Sequence, residues 1–238
     1  MKTHPYSVRD RLIVALDFTT LPPALRLAKR LQGAVRTVKI GSVLFTAEGP
    51  EAIQRLRRLG FDVMLDLKFF DIPSTVELSC RVAARHRVSL LTVHASGERA
   101  MLEAAVKGAR EEARRQRTTR PWVLGVTVLT SVGGAAATTA HVLRLSQRAL
   151  SAGCDGVVAS AQEAKALRRR FGTRLEIVCP GIRPLQAGRG DQHRVATPAE
   201  ALDAGADRLV IGRPITAAAN PRTATQRLLQ EMEESARC

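Results

Sequence analysis

The stretch GPEAIQRLRRLGFDVMLDLK, residues 49–68, contains one helix and one strand in immediate succession. Pro50 suits a first helical position, Ile53, Leu56 and Leu59 form one apolar stripe, and Gly60 suits the stop. From Asp62 the pattern changes to period two, with Val63, Leu65, Leu67 and then Phe69 on one side and Asp66 and Lys68 on the other. A helix leading directly into such a strand is the repeating unit of a parallel sheet. Short aliphatic runs of the same kind recur along the chain: LIVALD (12–17), TVKIG (37–41), DVMLDLK (62–68), LLTVHA (90–95), WVLGVTV (122–128), GVVAS (156–160), LEIVCPG (175–181) and RLVIGR (208–213). Eight alternations in 238 residues, without a linker or a shift in composition, predict an α/β chain folded as a single (β/α)8 TIM barrel over residues 1–238. The rival, a doubly wound open sheet, lacks a G-x-G-x-x-G after the first strand.

Composition agrees with a folded enzyme: 45% of residues are hydrophobic and 25% charged. No run approaches the roughly 18 apolar residues of a membrane helix, and MKTHPYSVRD at the start has no signal-peptide core, so the expectation is a cytoplasmic protein with no membrane partner. Cys80, Cys154, Cys179 and Cys238 are far apart and make no C-x-x-C pair, which reads as free thiols in a reducing compartment. The net charge of +15 raises nucleic acid as a partner. Its arginines are scattered, however, over Arg55, Arg57 and Arg58, over Arg110, Arg114, Arg115 and Arg117, and over Arg168 to Arg170. With only 3% aromatics to offer as stacking platforms, a solvated basic surface and no nucleic-acid partner is the better reading.

Strand parity converts the apolar runs into a candidate site. Leu12, Val14 and Leu16 would face the helices and leave Asp17 inside, while Val38 and Ile40 do the same for Lys39. Asp66 and Lys68 share the inner face of the third strand, and Asp71 follows in the loop before Pro73 starts a helix. In such barrels the chemistry lies at the C-terminal ends of the strands. One charged strand residue is ordinarily a surface salt bridge, but four in phase at one mouth must neutralise one another at a desolvation cost. Of 31 arginines and six lysines, two of the lysines are Lys39 and Lys68, and lysine, unlike arginine, can give up a proton.

The closing strands read as a phosphate site. CPGIRP (179–184) ends the seventh run, QAGRGDQH (186–193) follows, and IGRP brings Gly212 and Arg213 to the end of the eighth. Residues 184–193 read as a loop that closes on the phosphate, and VGGAAATTA (132–140) as a second loop over the mouth. His94 ends the fourth run and reads as packed rather than proton-transferring, and His4, His86, His141 and His193 have no metal spacing.

These segments together resemble the orotidine 5'-phosphate decarboxylase family nearly end to end: VALD (14–17), VKIG (38–41), DLKFFDIPST (66–75), VHASG (93–97), VTVLTS (126–131), PGIRP (180–184), GDQ (190–192) and VIGRP (210–214), in that order. Ser74 stands where an Asn is expected. The resemblance implies decarboxylation of orotidine 5'-monophosphate to UMP by a homodimer with shared active sites and with no metal or organic cofactor. It implies that Lys68 protonates C6 as carbon dioxide leaves, that Asp66 stands beside the substrate carboxylate, and that Lys39, paired with Asp66, contacts the ribose with Asp17. Asp71 and Thr75 would reach into the partner's site, with Ile72 beside them among the substrate contacts. Thr130, with Ser131 as a neighbour, would bind the pyrimidine end, and Arg183, Gln192, Gly212 and Arg213 the phosphate. The alternatives are a magnesium-dependent decarboxylase or aldolase acting on a sugar phosphate, and a basic barrel that binds nucleic acid.

Overall fold

The computed structural model describes residues 6–132, 138–184 and 194–237. Within them, eight parallel strands close into a barrel in chain order: β1 (Leu12–Ala15), β2 (Thr37–Gly41), β3 (Asp62–Phe69), β4 (Leu90–His94), β5 (Trp122–Val126), β6 (Gly156–Val158), β7 (Glu176–Cys179) and β8 (Arg208–Ile211), which returns to pair with β1. The helices around it are α1 (Val8–Arg11), α2 (Leu21–Leu31), α3 (Ser42–Glu48), α4 (Pro50–Arg58), α5 (Pro73–Arg85) and α6 (Arg99–Gln116), followed by α7 (Thr139–Ser151), α8 (Ala161–Phe171), α9 (Pro198–Asp203), α10 (Arg213–Thr216) and α11 (Pro221–Arg237). This is the (β/α)8 barrel expected from the alternation. Among the described residues, no helix is long and apolar enough to cross a membrane.

Helix α4 forms as its sequence dictates, with Pro50 at its first turn, Ile53 and Leu56 buried, and Gly60 turning out of it at φ 88. Burial then separates two cores by strand parity. Leu12, Val14, Leu16, Val38, Ile40, Val63 and Leu65 pack outward beneath the helices. Ile13, Ala15, Met64, Leu90, Leu124, Val126, Val158, Val178 and Val210 fill the barrel interior. Lys39, Asp66 and Lys68 alternate with outward residues, so they belong to the inner face and stand above this apolar plug.

The ladders stop earlier than the apolar runs. Ser160 turns to cap α8 by accepting a hydrogen bond from Gln162 N, and Pro180 has no N–H to give a ladder before Gly181 turns at φ 78. These freed residues form the rim of the mouth. The segment read as a loop over 132–140 is partly helical, because α7 begins at Thr139 with the Thr138 side chain accepting from His141 N; residues 133–137 lie outside the described residues. So do 185–193, nearly all of the expected phosphate loop. Its two ends are joined, with Arg183 N donating to Ala196 O at 2.9 Å and Ala196 N to Gly181 O at 3.3 Å.

Candidate active site

A cavity of about 750 Å³ opens at the C-terminal ends of the strands and is floored by Ala15, Met64, Val126, Val158 and Val210 from the inner core. Asp17, Lys39, Asp66 and Lys68 line one wall, Thr130 and Ser131 another, and Arg183, Gly212 and Arg213 the side formed by the last strands. The structure therefore brings eight of the site residues expected from sequence to one mouth: Asp17, Lys39, Asp66, Lys68, Thr130, Arg183, Gly212 and Arg213. Gln192 lies outside the described residues.

The charged wall is a relay of alternating sign. Lys39 Nζ lies 2.9 Å from Asp17 Oδ1 and 3.6 Å from Asp66 Oδ2, while Lys68 Nζ donates to Asp66 Oδ2 at 3.0 Å. The middle of the relay is the most buried, with the side chains of Lys39 and Asp66 at 10% and 12% exposure, while its ends, Lys68 and Asp17, are at 34% and 55%. Burial by itself pushes the Asp66 carboxyl up, but the Lys39 and Lys68 ammoniums and the Thr92 hydroxyl outweigh it and hold the carboxyl below its ordinary value. Asp66 is thus an anion fixed between two cations, and its second oxygen accepts from Thr92 Oγ1 at 3.0 Å.

Lys68 owes its aim to an irregular backbone. Leu65 pairs with Leu91, but Phe69 pairs with Val93, so four steps along β3 match two along β4. Within this bulge Lys68 adopts φ 52, a left-handed conformation that costs a non-glycine residue roughly 1–2 kcal/mol. Its N–H leaves the ladder and donates instead to Thr92 Oγ1 at 2.9 Å. One buried hydroxyl therefore accepts from the Lys68 backbone and donates to the Asp66 side chain.

Two residues of this site escaped the sequence reading. Thr92 lay within LLTVHA, and its inward parity, two residues after Leu90, was the available signal. Gly41 ends β2, and a Cβ there would stand 2.9 Å from Lys39 Nζ and 3.0 Å from Asp17 Oδ1, so any larger residue would make the ends of these two side chains shift. His94 does not line the mouth; its ring meets the edge of Phe70 at 5.7 Å.

Asp71, Ile72 and Thr75 stand apart from the cavity. Asp71 Oδ1 accepts from Ile72 N at 2.6 Å on an exposed loop, and Thr75 borders an apolar groove with Phe45, Phe69 and Leu78. The chain exposes Phe70 (62%) and Ile72 (64%) next to them, Leu78 and Val82 further along on α5, and Val43 on α3. Among the described residues, no group of three or more His, Cys, Asp or Glu could hold a metal ion.

The match to the model of the orotidine 5'-phosphate decarboxylase / HUMPS family runs over residues 10–228. The chain belongs to this family. It is 46% identical over 230 residues to an orotidine 5'-phosphate decarboxylase of Halorhodospira halophila, covering 93% of this chain and 95% of that one. It is 48% identical over 217 residues to that of Laribacter hongkongensis, covering 88% of each. Among solved structures, an orotidine 5'-phosphate decarboxylase from Lactobacillus acidophilus superposes with a TM-score of 0.81 at 32% identity, over 94% of this chain and 99% of that one.

Proposed function

We propose that this chain decarboxylates orotidine 5'-monophosphate to UMP and carbon dioxide, the last step in making UMP. The observation that carries the reading is the Asp17–Lys39–Asp66–Lys68 relay at the mouth of a barrel belonging to this family. Breaking the C6–carboxylate bond releases carbon dioxide and leaves an electron pair on C6. The Lys68 ammonium, held toward the cavity, stabilises that charge and then passes its proton to C6; water reprotonates the amine. A cation aimed at C6 favours the transition state over the ground state, in which the charge lies on the carboxylate. Asp66, anionic beside that carboxylate, fixes both lysines, and Lys39 with Asp17 meets the ribose hydroxyls. Thr130 binds the pyrimidine, and Arg183, Gln192, Gly212 and Arg213 hold the phosphate, whose remote binding energy helps bring C6 onto Lys68.

Asp71, Ile72 and Thr75 act, on this reading, in the site of a second copy. The exposure of the large apolar side chains Phe70, Ile72, Leu78 and Val82, all within residues 70–82 beside them in sequence, supports a homodimer in which a second copy covers them. The reaction requires no metal or organic cofactor, and the three described cysteines, all free and buried, are compatible with a cytoplasmic setting.

The test is to mix purified protein with orotidine 5'-monophosphate in EDTA and follow the pyrimidine ultraviolet absorbance. Conversion to the UMP spectrum is the expected result. No change at high enzyme concentration rejects the reading, and activity that EDTA abolishes and Mg2+ restores transfers the site to metal-dependent sugar-phosphate chemistry.

A further inference from the structure

The other end of the barrel, where the strands begin, holds a cavity of about 760 Å³ that the proposed reaction does not use. Its wall carries Arg36, Arg57, Arg87, Arg117, Arg120 and Arg208 but only two carboxylates, Asp10 and Asp62. Three of the arginines are engaged. Arg36 binds Asp62 at 2.8 Å, Arg120 forks onto Asp155 at 2.8 and 2.5 Å, and Arg208 donates to Glu176 at 2.7 Å. Arg57, Arg87 and Arg117 make no ion pair or side-chain hydrogen bond among the described residues.

A cation at a helix C-terminus ordinarily answers the exposed carbonyls there, and Arg57 in the last turn of α4 needs no further reason. Arg87 and Arg117 do. They follow α5 and α6 in the left-handed region, at φ 56 and 52, where an L side chain is disfavoured and glycine is the usual choice. The comparable turns before β2, β3, β6 and β8 use Gly33, Gly60, Gly153 and Gly205, at φ 75, 88, 87 and 99. Among the described residues, only the turns before β4 and β5, which line this cavity, bear an arginine in that conformation.

We propose that this cavity is a second anion site, taking an oligophosphate, free or carried by a nucleotide, on Arg57, Arg87 and Arg117. Three guanidiniums from successive helix–strand turns call for several phosphate groups rather than one, and each fork matches a pair of phosphate oxygens. The volume lies within the range of small-ligand sites, ~300–1,000 Å³. The cavity offers no stacking platform for a nucleic-acid strand, since Tyr6 and Trp122 are both occupied by Arg208, 4.5 and 5.3 Å from their ring centres. The recognised chemistry is therefore the phosphate chain itself.

Trp122 is the chain's one tryptophan and lines this cavity, so its emission reports occupancy there and not at the mouth. Titration of the full chain with inorganic tripolyphosphate at constant ionic strength should give a saturable change in that emission. Calorimetry with ATP separates the sources: tighter binding than tripolyphosphate assigns a nucleotide, and equal binding the bare phosphate chain. The Arg87→Gly/Arg117→Gly double variant, which relaxes both backbones, should melt no lower than the unmodified protein and bind tripolyphosphate about tenfold or more weakly. Arg57→Gln, in a regular helix, should weaken it in the same direction and stands in if the double variant is unstable. No saturable change in the unmodified protein, equal affinity in the variants, or retention of RNA without tripolyphosphate binding would each overturn the proposal.

Discussion

Lys68 is held at φ 52 with its ammonium 3.0 Å from Asp66, so both backbone strain and charge are concentrated in the residue proposed to give the proton. Replacing it with alanine removes the cation and the proton source together. Lys68→Ala should lower turnover by about 10²–10⁴-fold or more while the protein still folds, since Lys39 continues to compensate Asp66. Near-normal turnover in a stopped assay of that variant would take the proton-donor role from Lys68. Gly41 offers a subtler probe. Its φ of −91 suits alanine, so Gly41→Ala should fold normally, yet the new Cβ comes within 2.9 Å of Lys39 Nζ and 3.0 Å of Asp17 Oδ1, closer than ordinary contact, so the ends of these side chains must shift. Turnover should fall by about tenfold or more with little change in melting temperature, because small misplacements at a reacting centre are costly. An unchanged kcat/KM would mean the pair tolerates displacement.

The bulge between β3 and β4 shows at the level of the element why some of the site was legible and some was not. Asp66 and Lys68 stood out because charges interrupted an apolar strand in phase with Lys39 and Asp17, and the barrel followed from eight repeats of one alternation. The bulge was hidden, because period two continues unbroken through Phe69 while the partner strand advances half as far. Thr92 was hidden with it: a β-branched residue suits any strand, and its hydroxyl matters only once the Lys68 N–H has left the ladder. Gly41 resembled an ordinary strand end until a neighbouring ion pair claimed the space of its Cβ. Thr92→Val, equal in shape, leaves that N–H unsatisfied and should cost about 1–3 kcal/mol, read by chemical denaturation; a loss near zero would mean another acceptor replaces the hydroxyl. At the opposite ends of β7 and β8, burial and the nearby Asp207 carboxylate push Glu176 up to about 7, despite its 2.7 Å contact with Arg208. A carboxyl whose folded value is raised binds its proton more tightly in the native state. Its contribution is full below about pH 4.5 and is lost as pH rises through about 7. Stability should therefore fall by about 3 kcal/mol over that window from this group, and Glu176→Gln should flatten the profile; an unchanged slope would reject the assignment.

At the scale of the whole molecule, the question is whether a second copy covers the apolar side chains exposed at Phe70, Ile72, Leu78 and Val82. Lys39, Asp66 and Lys68 face their own barrel's cavity, whereas Asp71 lies outside it on an exposed loop and Thr75 borders the groove edged by Leu78 and Val82. If a second copy seats there and lends Asp71 across the interface, a site is assembled from two chains, and a fault in either contributor disables it. Two inactive variants then have different geographies: Lys68→Ala spoils the site of its own barrel, and Asp71→Ala the site of its partner. In a mixed dimer both faults fall on one site and the other is intact. Dissociating and reassociating equal amounts of the two variants makes about half of the dimers mixed, each with one sound site of two, so activity should recover to about a quarter of the unmodified value per subunit. Ile72→Asp, which buries a charge in the proposed contact, should shift the sedimentation coefficient to that of a monomer and lower turnover with it. Recovery that stays at the sum of the two variants, in a sample shown by sedimentation to be dimeric, would confine Asp71 to its own subunit and separate the dimer from the chemistry.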